Sequence, residues 1–235
     1  MPRILAIVPA HNEEHSLPHL IGELRQAGVD TVVVDDASSD ATEQVARASG
    51  AAVLSLPVNL GVGGAVQAGF LYAVRNGYDV ALQVDGDGQH DPAQIPLIVA
   101  PLTRGEADCV IGSRYLPARP DPGYKTPFLR RAGMHFSTLV LLLATGLRIH
   151  DTTSGFRALN RDAFTFFSTE YPVDHPEAES LLVLHQAGFR FIEVPVTMRV
   201  RASGESLFSF IRATLYPMRV VVGFIGIAFK TVKRT

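Results

Sequence analysis

The chain of 235 residues has a single cysteine, Cys109. No internal disulfide can form, so a disulfide framework is excluded and a reducing compartment fits. Cys109 lies in the run Asp108-Cys109-Val110-Ile111 and reads as a small buried apolar residue rather than a nucleophile. Excess charge of one sign is also missing: 21 Lys+Arg stand against 23 Asp+Glu, a formal net charge of −2. That excludes the basic footprint of a nucleic-acid binder. No stretch reaches the ~20 uninterrupted apolar residues that span a bilayer. Met1-Pro2-Arg3 leads straight into a strand-like run, without the apolar length or cleavage site of a signal peptide. Internal repeats and low-complexity linkers are lacking too. These absences predict a cytoplasmic chain with one main domain.

What is present is apolar: 47% hydrophobic against 19% charged residues. Short continuous apolar runs at Ile4–Pro9, Thr31–Val34, Ala52–Leu56, Val80–Val84 and Cys109–Ile111 read as strands covered on both faces. Between them, helical spacing marks Leu17–Ala27 (stopped by Gly28), Ala41–Ala48 (capped from Ser38-Ser39-Asp40), Gly64–Asn76 and Pro92–Leu102. This alternation predicts an α/β fold, a Rossmann-like, mainly parallel sheet with helices on both faces. After Tyr115 the pattern loosens. Pro117–Pro127 reads as a loop, Leu129–Leu147 as a helix, Asp151–Arg157 as a polar loop, Pro176–Gln186 as a helix and Phe191–Val200 as a strand.

The chemistry is expected at Val80–Pro92, where a buried strand breaks into Asp85-Gly86-Asp87-Gly88-Gln89-His90. Two carboxylates, with the amide oxygen of Gln89 nearby, are hard oxygen donors suited to Mg²⁺ or Mn²⁺ rather than zinc. The plainer reading is a polar turn. The clusters His11–Glu14, Asp35-Asp36 and Asp85–Gln89 all fall at strand carboxyl ends, where open α/β sheets bind ligands. Asp35-Asp36 there suits accepting hydrogen bonds from a ribose or a nucleobase, or helix capping and solvation, and for Asp40 the capping reading is preferred. Two patterns mislead. His11-Asn12-Glu13-Glu14-His15 matches an inverted zinc-protease motif but follows a strand, with Pro18 limiting any helix. Gly61-Val62-Gly63-Gly64 resembles a dinucleotide loop, but Val66 stands where the third glycine belongs.

Five segments appear in order: Pro9-Ala10-His11-Asn12-Glu13, Asp35–Asp40, Asp85–His90, Gly112-Ser113-Arg114-Tyr115 and Thr153-Ser154-Gly155-Phe156-Arg157. Together they resemble the family 2 glycosyltransferases, in particular the polyprenyl-phosphate (dolichyl-phosphate mannose synthase-like) branch, over roughly residues 4–206. The resemblance implies a GT-A fold in residues 1–206. The half 1–115 would take metal and nucleotide sugar, and the half 116–206 the acceptor. It implies that Pro9, Asn12, Glu13 and Asp36 line the nucleoside pocket, and that Asp85, Asp87 and Gln89 hold the metal and donor diphosphate. Arg114, with Arg130 or Arg131, would meet phosphate, the latter two that of the lipid acceptor. Arg201, Gly204 and Ser206 match a segment that closes over the donor. Leu207 stands where the family often has lysine, and Asn59–Gly69 lacks a lysine many members carry, so sugar and base do not carry over.

The reaction so implied is inverting transfer from a nucleoside-diphosphate sugar to a polyprenyl phosphate at the cytoplasmic membrane face. Glu177 and Glu179 are the candidates for a general base, or else a solvated helix start. The tail 207–235 carries the apolar run Val220–Phe229 flanked by Arg212, Arg219, Lys230, Lys233 and Arg234. It reads as an interfacial helix on a membrane surface, or as a core or oligomer-packing helix, with a separate small membrane protein as a candidate partner. The alternatives are transfer to a saccharide acceptor and, from another class, a non-catalytic nucleotide-sugar scaffold.

Overall fold

The computed structural model describes residues 2–116, 128–173, 176 and 178–199, with the backbone alone over 128–136. Seven strands form one sheet: β1 (Ile4–Ala10), β2 (Asp30–Asp35), β3 (Ala52–Ser55), β4 (Val80–Gln83), β5 (Cys109–Ser113), β6 (Arg157–Asn160) and β7 (Phe191–Pro195). Their order is β3-β2-β1-β4-β6-β5-β7. All pair in parallel except β6, which runs antiparallel between β4 and β5. The sheet reverses its direction of growth between β1 and β4, and the crevice beyond those two strand ends is where such sheets bind ligands.

Alternation along the strands explains their unbroken apolar character. Leu5 and Ile7 of β1 join one core with α3 (Gly61–Arg75), α5 (Phe128–Thr145), α6 (Arg161–Glu170) and α7 (Ala178–Gln186). Ala6 and Val8 join the opposite core with α1 (Leu17–Gln26), α2 (Thr42–Ala48) and α4 (Ile95–Thr103). Both faces are covered, so neither register position can be polar. Cys109 is fully enclosed, and burial pushes its thiol up to about 12, which makes it inert. Gly28, at φ +70°, ends α1 as expected.

Strand β6 and helix α6 have no counterpart in the sequence reading, and the other differences are local. Helix α3 begins at Gly61 rather than Gly64, so the glycine cluster is its first turn. The Pro92–Leu102 segment divides into a 3₁₀ turn, Pro92–Gln94, and α4. β7 stops at Pro195. Close packing of α3 on β1 depends on Gly69, where a Cβ would stand 2.2 Å from Cγ2 of the buried Ile7. Gly69→Ala is therefore expected to cost about 1–3 kcal/mol through overpacking, read as a lower urea midpoint at unchanged slope.

Candidate active site

Because β6 runs against its neighbours, its first residue lies at the same edge as the carboxyl ends of β1, β2, β4, β5 and β7. Arg157 pairs with Gln83 on one side and Ile111 on the other. That edge gathers the Ala10–Glu13 turn, Asp35-Asp36, Asp85–Gln89, Arg114, the Thr153–Phe156 segment and the arm 196–199. Pro9, next to last in β1, lies beside the Asp85–Gln89 turn: a Cβ on Gly86 would lie 3.0 Å from the Pro9 carbonyl oxygen and 3.6 Å from Glu13 Cγ. Ser16 fastens the two turns by donating to the Gly86 carbonyl at 2.7 Å.

Asn12 and Ala37 both adopt left-handed backbone, φ 58° and 55°. They lock together: the Asn12 amide donates to Ser38 Oγ at 3.0 Å, and its Oδ1 accepts from the Ser39 amide at 2.8 Å. Left-handed conformation is costly for alanine, and held strain of this kind gathers at binding sites. Asp36 is buried and accepts from the Leu60 amide at 2.6 Å, which fixes the entry to α3. Asp35 Oδ1 accepts from the Ser38 amide at 3.1 Å. Asp40 accepts from the Thr42 amide at 3.0 Å one residue ahead of the N-cap position of α2, which is Ala41 and carries no side-chain cap, so the expected cap at Asp40 is not formed. His11 faces the Asp36 carbonyl and His15 faces Glu14, so the protease-like pattern does not converge on a metal.

Asp85 and Asp87 project from the end of β4 as a pair of hard oxygen donors. Asp87 Oδ1 accepts from the Gln89 amide at 3.0 Å, which closes the turn. The Gln89 side-chain NH₂ points to the Arg199 carbonyl, 3.4 Å away. Among the described residues no group of three or more His, Cys, Asp or Glu side chains could enclose a metal. Two carboxylates at an open edge instead fit a Mg²⁺- or Mn²⁺-like ion whose other positions go to water and substrate phosphates.

Arg114 is placed behind this edge. Its guanidinium forks onto Asp151 (Nε to Oδ2 2.7 Å, Nη2 to Oδ1 2.8 Å) and reaches Thr153 Oγ1 at 2.9 Å. Asp151 is held in turn by Glu193, which accepts from the Asp151 amide at 2.8 Å. Arg157 donates to Ser180 Oγ at 2.5 Å and to the Thr152 carbonyl at 2.9 Å, tying the start of α7 to the edge. Glu179 is buried in that first turn of α7. Arg130 and Arg131 lie in the first turn of α5, their side chains outside the described residues. Glu177, Arg201, Gly204, Ser206 and the tail 207–235 also lie outside them.

The sequence reading missed Gln83, His90, Asp151 and Arg199. Gln83 had one signal, a lone amide inside a buried apolar run. Arg199 bridges Glu23 of α1 (2.7 Å) and Asp91 (2.6 Å) and delivers the chain beside the Gln89 turn. Hydrogen bonding from Arg199, partly opposed by burial, holds the Glu23 carboxyl below its ordinary value of 4.5. A depressed carboxylate stabilises the fold above its unfolded value and loses that contribution as pH falls through the folded one. Glu23→Gln is thus expected to cost about 1 kcal/mol at pH 7, reduced by solvent at the 37% exposed Arg199. The difference from the wild type should shrink in urea titrations as the pH is taken down from 4.5.

The model of glycosyl transferase family 2 matches residues 5–166. The chain is 35% identical over 219 residues to undecaprenyl-phosphate mannosyltransferase of Micrococcus luteus, covering 88% of each chain. It is 32% identical over 221 residues to polyprenol monophosphomannose synthase of Mycolicibacterium smegmatis, covering 88% of this chain and 81% of the relative. Among solved structures it is similar to glucosyl-3-phosphoglycerate synthase of Mycobacterium tuberculosis with Mn²⁺, UDP and glucosyl-3-phosphoglycerate. There the TM-score is 0.72 at 20% identity, over 96% of this chain and 79% of that one, which shows the shared GT-A fold. With its paired carboxylates beyond β4 and a family model spanning the sheet from β1 into α6, this chain belongs to glycosyl transferase family 2.

Proposed function

We propose that the protein transfers a sugar from a nucleoside-diphosphate donor to a polyprenyl monophosphate at the membrane surface, with inversion at the anomeric carbon. The observation that carries this is near-full-length similarity to two enzymes named for that lipid acceptor, joined to a two-carboxylate turn at the switch point. Asp85 and Asp87, with Gln89, would hold a Mg²⁺- or Mn²⁺-like ion. Such an ion supplies charge neutralisation on the departing diphosphate. Pro9, Asn12, Glu13 and Asp36, at the carboxyl ends of β1 and β2, would line the nucleoside pocket, and Arg201 and Ser206 would close over it.

The acceptor's phosphate oxygen is already anionic near neutral pH, so little general-base work falls to Glu177 or Glu179. Arg130 and Arg131 at the start of α5 would orient it through charge-assisted bonds. Arg114, committed to Asp151, serves by holding the Thr153 segment in place. The test is a panel of radiolabelled UDP-, GDP- and dTDP-sugars with undecaprenyl phosphate. Label passing into the organic phase with one donor is the expected result. Label remaining in water-soluble saccharide would point to a sugar acceptor and overturn the lipid reading.

A further inference from the structure

Asp85 is solvated in front and braced behind. Its side chain is 39% exposed, whereas that of His90, packed against it, is 3% exposed. Three groups converge on this one residue. The Gln83 side-chain NH₂ donates to Asp85 Oδ1 at 3.0 Å. The Asp85 amide donates to His90 Nδ1 at 3.0 Å, so the ring hydrogen sits on Nε2, which lies 3.6 Å from Asp85 Oδ2. A Cβ on Gly155 would stand 3.0 Å from both carboxylate oxygens and 2.9 Å from Gln83 Nε2. The space a side chain would need at residue 155 is therefore taken by the carboxylate.

The brace is itself fixed. The His90 ring stacks on Phe156 at 4.7 Å between centroids and 13° between planes. Phe156 follows Gly155 directly, and its carbonyl accepts from the Gly112 amide at 2.8 Å. Met198 pairs with the His90 backbone on the other side. A single segment thus provides both the wall behind Asp85 and the surface that orients the histidine. Loosely held carboxylates would move by more than the few tenths of an ångström a ligand set tolerates.

We infer that Gln83, His90 and Gly155 are positioning residues that fix the Asp85 carboxylate for metal binding, so that affinity for the ion is set partly behind the ligand. The inference rests on the reading of Asp85 as a metal ligand. Outer partners of ligating groups typically change metal affinity 10–100-fold. The experiment is titration of Mn²⁺ with UDP or GDP, whichever raises uptake by the wild type, followed by electron paramagnetic resonance. Thermal unfolding is run on every variant. Gly155→Ala and His90→Leu are expected to weaken Mn²⁺ binding at least tenfold. His90→Asn, whose Oδ1 can replace Nδ1 as acceptor, should recover much of it. In transfer assays the loss should fall on the Mn²⁺ concentration needed, with kcat near the wild type at saturating metal.

Gln83→Met removes the donor at nearly constant volume and reads the same point should Gly155→Ala fail to fold. Dissociation constants within twofold of the wild type in the folded variants would overturn the inference. A wild type that takes up no Mn²⁺ with either nucleotide would instead overturn the metal reading beneath it.

Discussion

Asp87→Ala is expected to lower sugar transfer about a thousandfold or more while the protein stays folded. Neutralising charge on a departing diphosphate is worth several kcal/mol in the transition state, and each 1.36 kcal/mol is a factor of ten. The structural contribution of Asp87 is small by comparison. Its Oδ1 accepts from the Gln89 amide within one exposed-edge turn, a bond worth about 1 kcal/mol. Rate and stability should therefore separate: organic-phase label falls to background while the thermal midpoint moves by only a few degrees. Asp85→Ala should behave alike in rate. Undiminished transfer in both variants would remove the turn from the mechanism.

Asp151→Ala should do the reverse, striking stability first. Asp151 is 0% and Arg114 5% exposed, and the two are joined by a two-pronged contact. Removing one partner of a buried pair leaves the other charge uncompensated, at a cost of about 3–5 kcal/mol. For a chain of this size that corresponds to a midpoint lower by roughly 10 °C in circular dichroism melts. Because Asp151 also fixes Arg114 against Thr153, the segment behind Asp85 loosens with it. A midpoint within about 2 °C of the wild type would mean the pair is solvent-screened rather than buried.

The first half of the fold was legible because its strands are covered on both faces. Ile4–Ala10 and Val80–Leu82 are continuous apolar runs that few other structures would accept. Strand β6 was not legible. Arg157-Ala158-Leu159-Asn160 starts with a buried arginine, whose hydrogens are received by Ser180 and Thr152 outside the strand. The candidate site divides in the same manner. Asp85, Asp87 and Gln89 announce themselves through adjacency in sequence, as do Asp35 and Asp36. Asp151, Glu193 and Arg199 acquire their meaning from partners 37, 42 and 176 residues away, and no local pattern marks them.

Asp85 and Asp87 are proposed to bind a divalent ion together with a nucleoside diphosphate. Mn²⁺ uptake followed by electron paramagnetic resonance, with and without UDP or GDP, measures this directly. The predicted result is nucleotide-dependent uptake of one ion by the wild type, lost in Asp85→Ala and in Asp87→Ala. Uptake unchanged in both variants, or none in the wild type with either nucleotide, would contradict it.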